Sequence, residues 1–568
     1  MQMKKHFRGH RALAVTALVA AIAAAATLAV SPSRGQSASD LTLATFSGDR
    51  MLADIRVLSS DEFQGRGPGT KGEDLTIAYI QKQFRDAGLE PGNPNGTYLQ
   101  EVPMVGIRPD PKMEMTFTGH GTTTHLAFEN DFIASTGDPL DSVELDADMV
   151  FVGYGVQAPE YQWDDFKGFD VKGKVIVVLI NDPPVKKNGE LDPKVFGGKA
   201  MTYYGRWTYK YEKAAELGAA GCIIVHETGP AGYPWEVVRD SWAGERFTLP
   251  PDQAARSALI ESWITHEQAE ALFKAAGYDF ASLKEKAVSR DFRPVPLGMR
   301  ARLEIHNTLR TIRSHNVVAK VTGSDPALKN EYVIYSAHWD HFGIGPAING
   351  QNIYHGALDN GSGSAALVEL GRAFASLKVR PKRSILFLSV TGEEQGLLGS
   401  EYYAEHPLYP LARTAANINM DGMNVLGKTR DITEIGMGKS TLDEVVAAVA
   451  KEQGRVVNDD PEPEKGFYYR SDHFSFAKVG VPAFDPDSGI DYVGKPAGWG
   501  MKMRDQYTAN DYHKPSDVIK PYWDMSGTVQ DCQLFFAVGY RVANAAKMPE
   551  WKPGAEFKAI REKSLAGN

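Results

Sequence analysis

Three observations predict an α/β fold for this 568-residue chain. Its C-terminal half carries short, almost wholly apolar segments, HNVVAKV (315–321), EYVIYSAH (331–338), SILFLSV (384–390) and AANINM (415–420). Segments of helical pattern, near 364–377 and 441–453, alternate with them. Continuous apolar strands alternating with helices indicate a sheet covered on both faces. Acids and histidines fall directly after the apolar runs, where open α/β sheets collect their functional groups. Apolar residues make up 43% and charged residues 23% of the chain, so a packed core is expected, and the length allows two to four domains.

The elements follow in order. Residues 1–35 hold Lys4, Lys5, Arg8 and Arg11 without an acid, then an Ala-rich apolar run from Ala12 to Val30, then small and polar residues. This is the layout of a secretory signal peptide, so the protein is expected to be exported, either periplasmic or secreted. No second apolar span follows, so no stable membrane span is expected after cleavage. Residues 42–145 form the first part of the main domain. There Leu75, Ile77, Ile80 and Phe84 share a helical face, and Gly88 closes the helix. A second unit is expected over 146–297. MVFVGYG (149–155) and KVIVVLIND (174–182) read as buried strands, and YKYEKAAELGAAGCIIVHE (209–227) as helix, turn and strand. Residues 298–548 hold the regular α/β pattern, and 549–568 read as a polar C-terminal tail of no clear structure.

Charge and cysteine content exclude several functions. The formal net charge is -9, and no long basic run lies outside the N-terminus, which argues against nucleic acid as a partner. Cys222 and Cys532 are too few for a disulfide scaffold or a thiolate zinc finger, and they are expected to stay unpaired. Any metal must be held by imidazoles and carboxylates.

Five places carry that chemistry. SAHWDH puts His338 and Asp340 past one strand, and GALDNGSGS puts Asp359 on a Gly-rich loop entering a helix. SVTGEEQGLLGS puts Glu393 and Glu394 past a second strand, INMDGMN puts Asp421 past a third, and DYHKPSD puts His513 on a late loop. Burying so many acids together without a cation is prohibitive, and a metal resolves the conflict. Carboxylates and neutral imidazoles suit zinc without a thiolate.

These strings, in this order, resemble the dizinc exopeptidases that include bacterial leucyl aminopeptidases and glutamate carboxypeptidase II. LSSDEFQGRGPGTKGE, from Leu58 onward, is similar to that family's N-terminal signature, and the 146–297 unit resembles a protease-associated domain. The resemblance implies a three-layer zinc-peptidase domain with a central mixed, mainly parallel sheet, plus an inserted β-rich protease-associated domain. It implies two zinc ions. Asp359 would bridge them, His338 and Asp421 would complete one, and Glu394 and His513 the other. It makes Glu393 the general base and gives Asp340 the task of accepting the free N–H of His338. His341 has no matching ligand role. A cis peptide bond is implied between Asp359 and Asn360. Tyr468 and Tyr512 both match donors to the reaction's oxyanion, and both stand as candidates. Ser471, Asp472 and His473 resemble a pocket-lining segment.

The expected function is that of an exported zinc aminopeptidase acting on peptides. The alternatives are a carboxypeptidase of the glutamate carboxypeptidase type, for which Arg206 and Arg470 are candidate carboxylate binders, and a non-catalytic peptide- or partner-binding relative. The insert is expected to act as a lid, with its aromatic stretch from Tyr203 to Tyr211 facing the cleft. A homodimer is left open.

Overall fold

The strand Val295–Val321 runs for 27 residues and belongs to two sheets. Its first part pairs antiparallel with Glu114–Gly119 and Ser142–Phe151. Its last part pairs antiparallel with Leu99–Pro109 and Ser384–Val390. In the first part Met299, Ala301, Leu303 and Ile305 are buried, while Arg300, Arg302 and Glu304 between them are exposed. That period of two is the mark of a sheet with one wet face. In the last part Val317, Val318 and Ala319 are all buried, because there the sheet is covered on both sides. This computed structural model describes residues 40–242, 244–251 and 258–566. The signal-peptide reading of 1–35 lies outside them.

In the main sheet Tyr332–His338 lies between Ser384–Val390 and Thr414–Asn419, parallel to both, and Ala483–Asp487 extends the parallel set. Asp431–Ile435 joins its far edge antiparallel. The sheet is therefore mixed, with a parallel centre. Every residue of the three central strands is buried, as their unbroken apolar runs require. One face carries Tyr335 and Phe387, stacked with centroids 5.7 Å apart, against Phe84, Phe374 and Phe536 from the helices Lys71–Asp86, Gly363–Ala375 and Ser526–Asn544. The helix Ser526–Asn544 comes so close that a Cβ on Gly539 would meet the Tyr335 hydroxyl at 1.8 Å. The opposite face packs Ile334, Leu386 and Leu388 against Tyr403 and Phe476, from the helices Leu398–Glu405 and His473–Lys478.

The second sheet starts earlier in the chain than the 145/146 boundary expected above. Glu114–Gly119, Phe132–Thr136 and Ser142–Phe151 all pair within it, alongside Val175–Leu179, Gly221–Val225 and Ile260–Ile264. The reason is that its edges close on strands flanking the insertion, a long-range pairing with no local signal. Its core includes Phe117, Phe151, Val177, Ile224 and Trp263. The expectation of an unstructured tail also fails. Trp551 and Phe557 are buried, Trp551 Nε1 donates to the carbonyl of Gly480, and Lys558–Ala566 is a helix. Two aromatics in a polar stretch are enough to anchor it. Cys222 and Cys532 are both free and buried. Residues Ala44–Asn568 form one unit, and of the preceding one only Asp40–Leu43, a single 3-10 turn, is described. Among the described residues no helix is long and apolar enough to cross a membrane.

Candidate metal centre

Three parallel strands deliver the first part of the site. His338 ends Tyr332–His338, Glu393 and Glu394 follow Ser384–Val390, and Asp421 follows Thr414–Asn419. Parallel neighbours share a carboxyl edge, so the three sequence-distant groups meet. Asp359 comes from the loop before the helix Gly363–Ala375, and its peptide bond to Asn360 is cis. His513 follows the helix Trp499–Asn510 in a left-handed backbone conformation, φ 57°.

Asp359 lies at the middle. Its Oδ1 is 3.4 Å from His338 Nε2 and its Oδ2 is 3.5 Å from His513 Nε2. Asp421 Oδ1 is 3.2 Å from His338 Nε2, and Glu394 Oε2 is 3.2 Å from His513 Nε2. Glu393 Oε2 is 3.8 Å from His338 Nε2. Ligand atoms of His338, Asp359 and Glu394 all lie within 4.8 Å of one another.

The charges are tightly coupled. Burial opposes the imidazolium of His338, but Asp421, Glu393 and the bond to Asp359 overcome it and raise its pKa well above the usual value. His513 is raised to about 10 against the same opposition, by Glu394 and Asp359. Asp359 is held well below the carboxylate range despite burial, by the neighbouring imidazoles of His338 and His513. Glu393 goes the other way. Burial lifts it well above the usual value, and Asp421 and Glu394 add to that. The buried His513 Nε2 makes no hydrogen bond and faces the oxygens of Asp359 and Glu394. An aimed, unpartnered imidazole nitrogen among carboxylates fits a cation, and this nitrogen and oxygen donor set fits zinc.

Neighbouring groups hold the cluster in place. Asp517 accepts the backbone N–H groups of Leu358 and Asp359, each at 3.0 Å. His341 Nδ1 hydrogen-bonds Glu394 Oε1, which gives this histidine an orienting contact. Ser471 Oγ donates to Asp421 Oδ2 at 2.7 Å. Arg66 is fully buried and donates to the carbonyls of Trp339, Leu58, His355 and Gly356. It ties the His338 loop to the Asp359 loop. The Asp340 carboxylate is not the closest partner of His338. His338 Nδ1 bonds the backbone carbonyl of Asp340 at 3.2 Å, with the carboxylate Oδ1 at 3.8 Å. That carboxylate accepts the backbone N–H of Glu393 at 3.1 Å instead.

The two tyrosines separate. Tyr512 lines the cleft, stacked on His513 with centroids 3.7 Å apart. Tyr468 sits in a packed cluster with Ile435, Phe474 and Trp551, away from the cleft lining. His473 packs against its ring, and Asp472 is fully buried nearby. A cavity of about 350 Å³ lies between the second sheet's module and the cluster, and another of about 280 Å³ adjoins Asp359 and Asp421. Glu393, Tyr512, His513, Tyr233 and Arg470 line both. Tyr203, Trp207 and Tyr211 line the larger one, whereas Tyr209 turns into the module's core and reaches Gln157. Arg206 is buried beside that cavity with no acid partner among the described residues. Burial, and then Arg470, lower its pKa to about 10.

A parallel-centred α/β sheet here brings imidazoles and carboxylates together at its carboxyl edge, where they could hold a metal ion. Residues 316–537 match the model of Peptidase family M28. It is 37% identical over 132 residues to mouse "Aminopeptidase NAALADL1", a match that covers 22% of this chain and 16% of the mouse protein. It is 24% identical over 461 residues to the "probable leucine aminopeptidase 2" of Aspergillus oryzae, covering 79% of this chain and 74% of that one. Among solved structures, an aminopeptidase from Aneurinibacillus sp. strain AM-1 shares the fold, with TM-score 0.52 and 19% identity over 90% of this chain and 97% of that chain.

Proposed function

We propose that the protein is a zinc-dependent exopeptidase, an aminopeptidase that removes N-terminal residues from peptides outside the cytoplasm. One observation carries the reading. The two oxygens of Asp359 each face a different imidazole, and each imidazole has its own second carboxylate. That supports two zinc positions, one with His338 and Asp421, the other with Glu394 and His513, sharing Asp359. Zinc held by these residues would lower the pKa of a water and polarise the scissile carbonyl. Glu393 takes the water's proton and returns it to the leaving amine. A carboxylate in this position serves both steps, because the proton it takes from the water is the one it then gives to the amine. Tyr512, at the cleft wall, donates to the developing oxyanion. The module over the larger cavity, which resembles a protease-associated domain, limits how the substrate enters.

A second reading has its own support. Arg206 is a buried guanidinium without a counter-ion among the described residues, beside the cavity that reaches Glu393 and His513. A peptide's terminal carboxylate would satisfy it, as a carboxypeptidase acting on acidic dipeptides requires. The test compares an aminoacyl anilide with an N-acylated dipeptide, alongside zinc analysis. Turnover of the anilide with two zinc ions per chain supports the aminopeptidase. Turnover of the blocked dipeptide alone supports the carboxypeptidase, and zinc without turnover of either supports a binding protein.

A further inference from the structure

We infer that Ser241, in the inserted module, is a positioning residue for His513, so that the module itself sets the affinity of one zinc position. The inference rests on the metal reading just given. Ser241 lies on the helix Trp235–Trp242. Its hydroxyl donates to the carbonyl of Val237 at 2.7 Å and lies 3.4 Å from His513 Nδ1. A hydroxyl has one proton to give. With that proton committed to Val237, the serine oxygen is left to accept, and Nδ1 must be the protonated nitrogen. The lone pair is thereby placed on Nε2, the atom that faces Asp359 and Glu394. A ligating histidine needs this arrangement, with its other nitrogen bonded to a fixed acceptor.

The rest of the ring's surroundings are aromatic. Tyr512 stacks on one side, and Phe342 meets it edge-on at 4.6 Å. Neither offers Nδ1 an acceptor, and among the described residues Ser241 is its hydrogen-bond partner.

The serine's helix is latched to the main domain. Glu245, three residues past the helix end, holds Arg310 through two bonds, at 2.6 and 2.7 Å. Phe247 donates its backbone N–H to Gln395 Oε1 at 3.1 Å, and Gln395 is the residue after Glu394. Residues 245–248, which follow the helix, are thus tied to the strand that holds Arg310 and to the turn that holds Glu394.

The experiment is a zinc titration of the full chain against a chromophoric chelator, on Ser241→Ala, Ser241→Thr and His513→Ala, with the melting temperature of each metal-free protein. Ser241→Ala is expected to weaken one of two zinc ions by about 10–100-fold, the usual scale for losing a ligand's hydrogen-bond partner, and to leave the other ion and the metal-free melting temperature unchanged. Ser241→Thr keeps the hydroxyl and should restore affinity to within a few fold. His513→Ala should lose the same ion outright. If His513→Ala loses an ion while Ser241→Ala binds both as the parent does, the role of Ser241 is overturned and the metal reading stands. If His513→Ala keeps both ions, the metal reading fails, and the inference fails with it.

Discussion

Asp517 Oδ2 accepts the backbone N–H of Asp359 at 3.0 Å, so the loop that follows His513 also fixes the central carboxylate of the cluster. The other oxygen takes the N–H of Leu358. Asp517→Asn turns one acceptor into a donor facing an N–H. Zinc affinity should fall by about 10–100-fold, the range seen when a metal ligand loses its support. Isothermal titration with zinc checks this. An unchanged affinity would show that Asp359 needs no help from this loop.

Glu393 and Glu394 adjoin in sequence but should separate by function. Glu393→Gln keeps size and hydrogen bonding but cannot take a proton. It should retain zinc and lose turnover by about 10²–10⁴-fold. Glu394→Ala should lose zinc. Metal content and turnover on both variants decide the matter. Zinc loss from Glu393→Gln with full retention in Glu394→Ala would reverse the assignment.

The two tyrosines give a contrast. Tyr512→Phe should lower kcat by about 10²–10³-fold, the scale for one oxyanion donor, with little change in KM. Tyr468→Phe should leave kcat alone, since its hydroxyl lies in the packed cluster with Trp551 and Phe474. The reverse pattern would place the oxyanion donor on Tyr468.

Glu434 offers a pH test away from the cluster. Burial, and then the neighbouring Asp443 carboxylate, push its pKa up to about 9, well above the usual carboxylate range. The folded state therefore holds a proton that the unfolded chain has released. Its contribution to stability is complete at low pH and is lost as pH rises through that window. Glu434→Gln mimics the protonated form. It should match the parent's melting temperature near pH 4.5 and exceed it near pH 9. Equal melting temperatures at both ends would refute a buried, protonated Glu434.

Much of the main domain was legible because its strands are buried on both faces. SILFLSV and EYVIYSAH admit few other readings, and the acids stand where those runs stop. The supporting contacts were not legible in the same way. His341 and Asp517 adjoin motif residues in sequence, yet their bonds to Glu394 and Asp359 arise only when separate loops meet. Arg66 stands in GRGPGT, whose glycines signal a turn but say nothing of four distant carbonyls. The module's first strands escaped because Phe132–Thr136 pairs with Ile260–Ile264, and no local pattern encodes a partner so far along the chain.

The shared strand Val295–Val321 limits how the protein can be taken apart. Joining residue 145 to 298 would remove Ser142–Phe151 beyond Leu145 along with most of its module. It would leave Met299, Ala301, Leu303 and Ile305 with their apolar faces open to water. An exposed alternating strand of that length is an aggregation template. Because that strand pairs in both sheets, a change to the module is also a change to the edge of the main sheet.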